Sequence, residues 1–396
     1  MKKNYFGKYF SGLSLNTLLL AFASFFSDIS TEMLYPVLPV FLTQTLGAGG
    51  GIVGIVEGVA IATQHIVQGF SGTLSDKLQK RKPIAIFGYT LSAISKPLIG
   101  FAASWQGVLG ARFFDRFGTG TRSAPRDALI AASADNQSRG RAFGLEGVGD
   151  NLGAFLGPLI AVFILFVLKA NIRDIFYLAV IPGLLAVVMI ILIKEKDVLQ
   201  VTKKRINVTL RNLPKAYWNY LFVTVVFGLG NSSNAFLILR TRDVGVSLED
   251  TILIYAGFNL IAALASYPLG FLSDKLGRKN VLLFAFIVYL ITYLGFAIDK
   301  NMILIAVLFF LYGIFQGTFR SVGKAFASDF VPQPLRASSV GWYATAVGLS
   351  GLFASIIAGQ LWDNISHTSV FVFGAVFALA GIIALLTLVP KKINTT

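Results

Sequence analysis

Gly72-Thr-Leu-Ser-Asp-Lys-Leu-Gln-Lys-Arg-Lys82 is the stretch that decides the fold, because the chain contains it twice. The second copy, Gly270-Phe-Leu-Ser-Asp-Lys-Leu-Gly-Arg-Lys-Asn280, begins half a chain length later. Each copy follows a long apolar run and precedes another. The sequence therefore predicts two homologous halves, each with a basic hairpin at the same place.

The composition indicates a membrane protein. Of the 396 residues, 55% are hydrophobic and only 13% are charged, whereas roughly a quarter of a soluble chain is charged. Apolar runs of about 20 residues fit helices that cross a bilayer, and the alternation of a β-barrel does not occur. We expect an all-α membrane protein with twelve transmembrane helices, at residues 13–45, 51–73, 84–103, 106–133, 140–168, 173–193, 214–241, 249–272, 280–298, 302–328, 336–362 and 368–390.

The basic residues predict the topology. A net charge of +15 would suggest nucleic acid binding in a soluble chain, but here Lys and Arg concentrate in alternate gaps between apolar runs. The positive-inside rule then places both termini and the central loop in the cytoplasm. We expect a multi-pass membrane protein, with anionic lipid rather than nucleic acid as its electrostatic partner.

The expected domains are an N-terminal bundle of six helices (1–193), a cytoplasmic linker (194–213) and a C-terminal bundle of six helices (214–396). The chain has no cysteine, which excludes disulfides and Cys-ligated metals. No ATP-binding loop, nucleophile elbow or zinc motif occurs. We therefore expect a protein that is not an enzyme and that binds no cofactor and no metal. We also expect it to be a monomer.

Ionisable residues within the apolar runs are the candidates for function, because each costs about 2.5–3.5 kcal/mol at the bilayer centre. Asp28 and Glu32 lie four apart, hence on one helix face, and no base lies beside them. Two such acids are typical of a proton carrier. The residues predicted to couple protons are Asp28, Glu32, Asp115, Glu146 and Asp150.

The fourth run carries the most charge, and at about 100° per residue Asp115, Arg122 and Arg126 nearly align. So many polar groups are expected to face a shared aqueous cavity rather than lipid, although some pairs can be structural salt bridges that clamp helices. The predicted substrate-binding residues are Tyr35, Glu57, Arg112, Arg116, Arg122, Arg126, Asn151, Asn231, Asn234, Arg320 and Lys324.

Glycines recur along the fifth run, at Gly144, Gly149, Gly153 and Gly157, before Pro158. Small residues four apart let helices approach closely, and the proline loosens the helix. The pattern fits simple packing and a functional hinge equally well.

These motifs together resemble the major facilitator superfamily over essentially the full length. The repeated loop looks like that family's signature between helices two and three, with Gln79 where a glycine is usual. Arg112 to Pro125 resembles the family's R-x-x-x-G segment, in a register that starts at Arg112 or Arg116. The glycine pattern up to Pro158 resembles the motif of exporters that exchange substrate for protons, with Ala161-Val162 in place of the usual glycine pair.

The segments 27–36 and 122–129 look like a prokaryotic branch of the superfamily, and this resemblance implies a location in the inner (cytoplasmic) membrane. The resemblance implies the major facilitator fold, which consists of two pseudo-symmetric bundles of six helices, a central site and alternating access.

Alternating access would need a latch at the cytoplasmic side. Acids of the repeated loop can bind helix-terminal amides or nearby bases. The residues predicted to form the latch are Gly72, Asp76, Arg81, Gly270, Asp274 and Arg278.

Three functions remain open. The first is proton-coupled export of a small organic solute. The second is proton-coupled uptake of a polar or anionic metabolite, or of a siderophore-like chelator, which the arginine cluster favours. The third is a membrane sensor that binds a ligand without moving it.

Overall fold

The structure is a computed structural model and describes residues 14–78, 80–134, 138–194, 213–298, 301–332 and 335–390. The side chains of residues 73, 74, 76–78, 139, 140 and 336–338 lie outside the description. Most of the predicted linker 194–213 also lies outside it.

The described residues form twelve helical segments and no strand. In chain order they are α1 (Leu15–Thr45), α2 (Gly50–Leu78), α3 (Arg81–Phe101), α4 (Trp105–Ala132), α5 (Arg139–Val162), α6 (Ile172–Leu192), α7 (Lys215–Asp243), α8 (Leu248–Leu276), α9 (Arg278–Ile298), α10 (Met302–Asp329), α11 (Arg336–Asn364) and α12 (His367–Leu388).

Eleven segments of the described chain are long and apolar enough to cross a membrane, so the expectation of a multi-pass membrane protein is confirmed. The twelfth, α4, has the length, with 28 residues, but its charged side chains lower its hydropathy. That twelve helices cross the bilayer in two bundles stays a prediction.

Two of the segments are interrupted, and both interruptions bear on the site. In α1 the regular helix ends at Leu34 and resumes at Leu38, with Pro36 in the turn between, because proline cannot donate a helical hydrogen bond. In α7 the helix ends at Gly230 and resumes at Ala235. Backbone groups freed at such breaks are available to other polar groups.

The contacts divide the chain into two compact units. The first consists of Met1–Tyr35 and Ile66–Lys203, and the second of Pro36–His65 and Lys204–Thr396. The grouping of Pro36–His65 with the second unit differs from the expected boundary between bundles, so the predicted domains stay a prediction.

Four helix pairs recur in both units. In the first unit, α1 packs against α5 and α6, and α3 packs against α4 and α6. In the second, α7 packs against α11 and α12, and α9 packs against α10 and α12. Each pair in one unit corresponds to the pair six helices later in the other. This repetition in the packing agrees with the duplication inferred from the repeated loop.

Equivalent lysines also close the ends of equivalent helices. Lys82 at the start of α3 donates from Nζ to the carbonyl of Ile193 at 2.7 Å, next to the end of α6. Lys279 at the start of α9 donates to the carbonyl of Val389 at 2.5 Å, next to the end of α12. Cations near helix C-termini satisfy the last carbonyls and favour the helix dipole.

Aromatic rings form much of the interior of the second unit. Phe227 of α7 stacks on Phe286 of α9 with ring centroids 3.8 Å apart. Tyr289 and Tyr293 stack at 4.0 Å, and Tyr312 of α10 lies beside both. The first unit instead places charged side chains between its helices.

Candidate functional site

The first polar centre of the first unit surrounds Asp115 on α4. Ser92 of α3 donates to its Oδ1 at 2.6 Å, and Arg112 one turn earlier donates to its Oδ2 at 3.1 Å. Arg116 places its Nε 3.5 Å from the same oxygen. Lys96 of α3 is 1% exposed and is attracted by the Asp115 charge. One fully buried carboxylate therefore balances several buried cations.

This geometry is typical of a structural anchor between α3 and α4. A buried charge is tolerated when it is paired and hydrogen-bonded, and both carboxylate oxygens of Asp115 are used. Tyr35 joins the centre from α1, because the Arg112 guanidinium lies 5.8 Å from the centre of its ring.

A second polar centre joins α1, α4 and α5. Arg126 pairs with Glu146 at 2.9 Å and with Asp127 at 2.9 Å. Ser24 of α1 donates to Glu146 at 2.8 Å and accepts from Arg126 at 3.2 Å. The arrangement neutralises the Glu146 charge and ties three helices together.

The glycine stripe of α5 determines how close α1 lies. A Cβ added at Gly149 would lie 2.4 Å from the carbonyl oxygen of Ala21, and one at Gly153 would lie 2.4 Å from that of Phe25. At Gly157 it would lie 2.8 Å from that of Ile29. Backbone thus meets backbone along the seam, as small residues four apart permit.

Two acids meet across this seam. The side chains of Asp28 on α1 and Asp150 on α5 lie close enough for the charge of one to act on the other. A Cβ at Gly153 would lie 2.9 Å from the Asp28 Cβ, so the glycine allows the contact. Two carboxylates this close repel each other when both are charged. Glu32 lies one turn further along α1, beside Gly157.

Arg122 on α4 completes the arrangement. It is 5% exposed and lies 4.2 Å above the ring of Tyr89 on α3. Within the described part of the chain, its Nε and the Tyr89 hydroxyl are buried without a hydrogen-bond partner. Its positive charge acts on Asp28. The structure thus holds a buried guanidinium by a cation–π contact.

In the second unit, the break in α7 collects polar side chains. Tyr312 of α10 donates to Asn234 Oδ1 at 2.9 Å and to Asn231 Oδ1 at 3.4 Å. Glu57 of α2 is 2% exposed and accepts from the Ser233 hydroxyl at 3.3 Å. The predicted residues Glu57, Asn231 and Asn234 therefore lie at or against the same broken helix.

The other predicted binding residues are more exposed. Arg320 and Lys324 lie one turn apart on α10 with exposed side chains, and Asn151 is exposed on α5.

The predicted latch is partly described. Arg278 at the start of α9 pairs with Asp329 of α10 at 2.7 Å and with Asp274 of α8 at 3.4 Å. In the first copy of the loop, Gly72 lies against Ala124 of α4 and Arg81 begins α3. The Asp76 side chain lies outside the described residues. The space around Gly270 is open.

Sequence reasoning missed several partners of the predicted residues. Four of these partners are uncharged, namely Ser24, Ser92, Tyr89 and Tyr312. A fifth is Asp329, which pairs with Arg278. A polar residue on an apolar helix was the available signal for the serines. The aromatic residues gave no signal, because they are common throughout this chain.

A helical membrane protein with paired charges inside its helix bundle and a repeated basic loop has the features of a secondary transporter. The family model described as Major Facilitator Superfamily matches residues 20–239 and again residues 220–395. The chain belongs to the Major Facilitator Superfamily, which is a family of transporters rather than enzymes.

Relatives agree with this assignment. An uncharacterised MFS-type transporter of Methanocaldococcus jannaschii is 36% identical over 373 residues, which cover 93% of each chain. A probable 4-methylmuconolactone transporter of Cupriavidus pinatubonensis is 29% identical and covers 78% of this chain and 74% of its own. The crystal structure of the nucleoside transporter NupG superposes with a TM-score of 0.76 at 15% identity, covering 94% of this chain and 98% of that one. The last likeness concerns the fold alone.

Proposed function

We propose that the protein exports a small organic solute in exchange for protons, by alternating access. The observation that carries this proposal is the approach of the Asp28 and Asp150 side chains across the glycine seam, where the charge of one carboxyl group acts on the other. Such a pair exchanges a proton as a unit. It lies in the seam between two helices, so its charge bears directly on their contact.

The surroundings of the pair suggest how a proton would bias the transporter. When the proton leaves, the two carboxylates repel across the seam, and the Arg122 guanidinium above Tyr89 is the cation that can move to compensate. A ligand or proton shifts a two-state equilibrium only by its differential interaction with the two states. The change in carboxylate repulsion is such a difference.

The five predicted proton-coupling acids then divide by their surroundings. Asp28 and Asp150 hold the exchangeable proton, with Glu32 one turn away. Asp115 and Glu146 already serve as counter-ions of arginines, which suits anchoring.

The remaining assignments rest on the sequence. The exporter-like glycine pattern favours export. The binding set and the latch keep their proposed roles, and Asn231 and Asn234 at the break of α7 are the central members of the binding set. The proposed setting is a monomer in the cytoplasmic membrane, with twelve spans in two bundles and both termini inside.

Proteoliposomes that enclose a pH-sensitive dye test this function. With no initial pH gradient, an inward gradient of a solute alkalinises the lumen if protons leave in exchange. A suitable panel contains tetramethylammonium, phthalate and 4-methylmuconolactone, the last after the printed name of the Cupriavidus relative.

Asp28→Asn and Asp150→Asn should abolish proton movement, because an amide in the pair cannot release the proton. Exchange of labelled for unlabelled solute should persist. Glu249→Gln, at an exposed position of α8, is the matched control. Proton movement at the native rate in both amide variants would refute the coupling role of the pair.

Uptake of an anionic solute together with protons is a second candidate, favoured by one observation. Arg122 takes part in none of the ion pairs found among the described residues, so its charge is available to a carboxylate. In this case the entry of phthalate would acidify the lumen. The sign of the pH change therefore separates the two candidates, and binding without any flux would indicate a sensor.

A further inference from the structure

The N-terminus of α2 is capped by a different helix. The first amides of a helix lack acceptors within it, and a side chain of the preceding residue usually supplies one. Here that residue is Gly49, which has none. Instead, Asp363 near the end of α11 accepts from Gly50 N with Oδ1 and from Gly51 N with Oδ2, both at 2.7 Å.

The glycine run is what admits this contact. A Cβ at Gly49 or Gly51 would lie 2.7 or 2.9 Å from the Asp363 Oδ2. At Gly50 it would lie 2.5 Å from the Trp362 indole. One turn further, a Cβ at Gly54 would come into hard collision with the carbonyl oxygen of Ser355. Consecutive small residues thus bring the start of α2 onto the backbone of α11.

The equivalent helix of the other half does not share this arrangement. α8 precedes the second copy of the repeated loop, as α2 precedes the first. Its N-terminus is capped by its own Ser247, whose Oγ accepts from Asp250 N at 3.0 Å. The cap from α11 is therefore not needed to form such a helix, and it links segments from opposite halves of the sequence.

We propose that Asp363 and Gly49–Gly51 form a clasp, the α2–α11 clasp, that must release when the passage opens at this end of α2. The repeated loop with the proposed latch lies at the opposite end of α2, so one helix would carry a closing contact at each end. The proposal rests on the alternating access of the proposed function. In it, Asp363 is a positioning residue that contacts backbone and no solute.

The strength of the clasp suits a contact that breaks in every cycle. Hydrogen bonds to a charged group are stronger than neutral ones, but Asp363 is exposed, so water replaces its partners on opening. Loss of the clasp should raise the fraction of open molecules by about tenfold.

The absence of cysteine from the chain allows a single reporter. Leu352 of α11 lies deeper along the same seam, where a Cβ at Gly58 would come within 3.0 Å of its carbonyl oxygen. In Leu352→Cys, the rate of labelling by a membrane-impermeant maleimide reports opening at the Gly49 end of α2. The measurement uses the full chain in proteoliposomes, with no solute and no pH gradient.

Asp363→Asn, combined with Leu352→Cys, should raise the rate of labelling about tenfold. One of the two oxygens that accept from Gly50 N and Gly51 N becomes an NH2 group, which faces a backbone N–H and cannot accept from it. Gly51→Ala should shift the rate in the same direction by displacing the carboxylate, and it decides the matter if Asp363→Asn does not fold. Asp363→Glu should restore part of the native rate, because it keeps both acceptors.

Two control substitutions, each combined with Leu352→Cys, should leave the rate of labelling at the value of Leu352→Cys alone, which is the reference rate. Asp174→Asn alters a carboxylate that accepts from Asn171 N within its own helix, α6. Gly69→Ala adds a methyl group to α2 where nothing lies within 4 Å. Reference-rate labelling in both Asp363→Asn and Gly51→Ala would overturn the clasp, whether or not proton exchange is found. Faster labelling without proton coupling would support the clasp and refute only the coupling.

Discussion

Replacement of Asp115 by asparagine tests whether the buried charges of α4 hold the helices together. Asp115 is 0% exposed, and Arg112 and Lys96 beside it are each 1% exposed. Asparagine has nearly the same shape, but it removes the negative charge that lies beside these two cations. Loss of one member of a buried ion pair costs about 3–5 kcal/mol, because the other charge is left uncompensated.

That cost should be visible as a lower melting temperature. For folding units of 150–250 residues, 1 kcal/mol corresponds to about 2–4 °C, so Asp115→Asn should melt about 6–20 °C below the native protein. The assay is thermal aggregation of purified protein at a fixed pH and lipid content. Glu249→Gln, exposed in the first turn of α8, should change the melting temperature by no more than about 2 °C.

A second substitution separates loss of charge from loss of shape. Arg112→Met added to Asp115→Asn removes one of the orphaned charges while keeping much of the side-chain volume, and it should recover part of the lost stability. A melting temperature of Asp115→Asn within about 2 °C of native, together with lost proton movement, would refute the structural role and favour a coupling role for Asp115.

Three further outcomes follow from single contacts. Gly153→Ala should destabilise the protein by about 1–3 kcal/mol and weaken proton exchange, because its Cβ collides with α1; Gly144→Ala, with nothing within 4 Å, should do neither. Asp329→Asn should lower the stability by less than about 1 kcal/mol, since its pair with Arg278 is partly exposed, and a larger drop in melting temperature would contradict this. Lys279→Met should cost about 1–3 kcal/mol, because the carbonyl of Val389 loses a buried charged donor, and an unchanged melting temperature would contradict the cap.

The sequence predicted which helix faces carry charge, but not which charges meet. Along α4, the helical period places Asp115, Arg122 and Arg126 close together. In the structure Asp115 pairs with Arg112, Arg126 pairs with Glu146 of α5, and Arg122 lies over a ring of α3. The helical period predicts the direction in which each charged side chain leaves α4. The residue that it pairs with depends on which neighbouring helix lies opposite.

The break in α7 has a signal in the sequence. Within the apolar run 214–241, Asn231-Ser-Ser-Asn234 is a cluster of residues typical of a loop. The duplication, by contrast, could be predicted from the sequence. A motif that recurs half a chain length later indicates that equivalent helices form similar contacts in the two halves. The cap of α2 by Asp363 had no local signal, since its two sides are separated by most of the chain.

Charged side chains and glycines occupy the same helix contacts in this protein, and the reason is physical. A Cβ at Gly153 would lie 2.9 Å from the Asp28 Cβ, and one at Gly88 would lie 2.8 Å from the Arg122 Cβ. Close backbone approach excludes lipid from the polar group, which lowers the cost of burying it, and it also shortens the distances between charges. Because the energy of two charges varies inversely with their separation and grows in a poorly polarisable interior, a small opening of a glycine contact changes the electrostatic energy strongly. In the proposed mechanism, a proton gained or lost at Asp28 would act on the seam where α1 and α5 touch. The glycines of α5 would then convert a change in charge into a movement of helices.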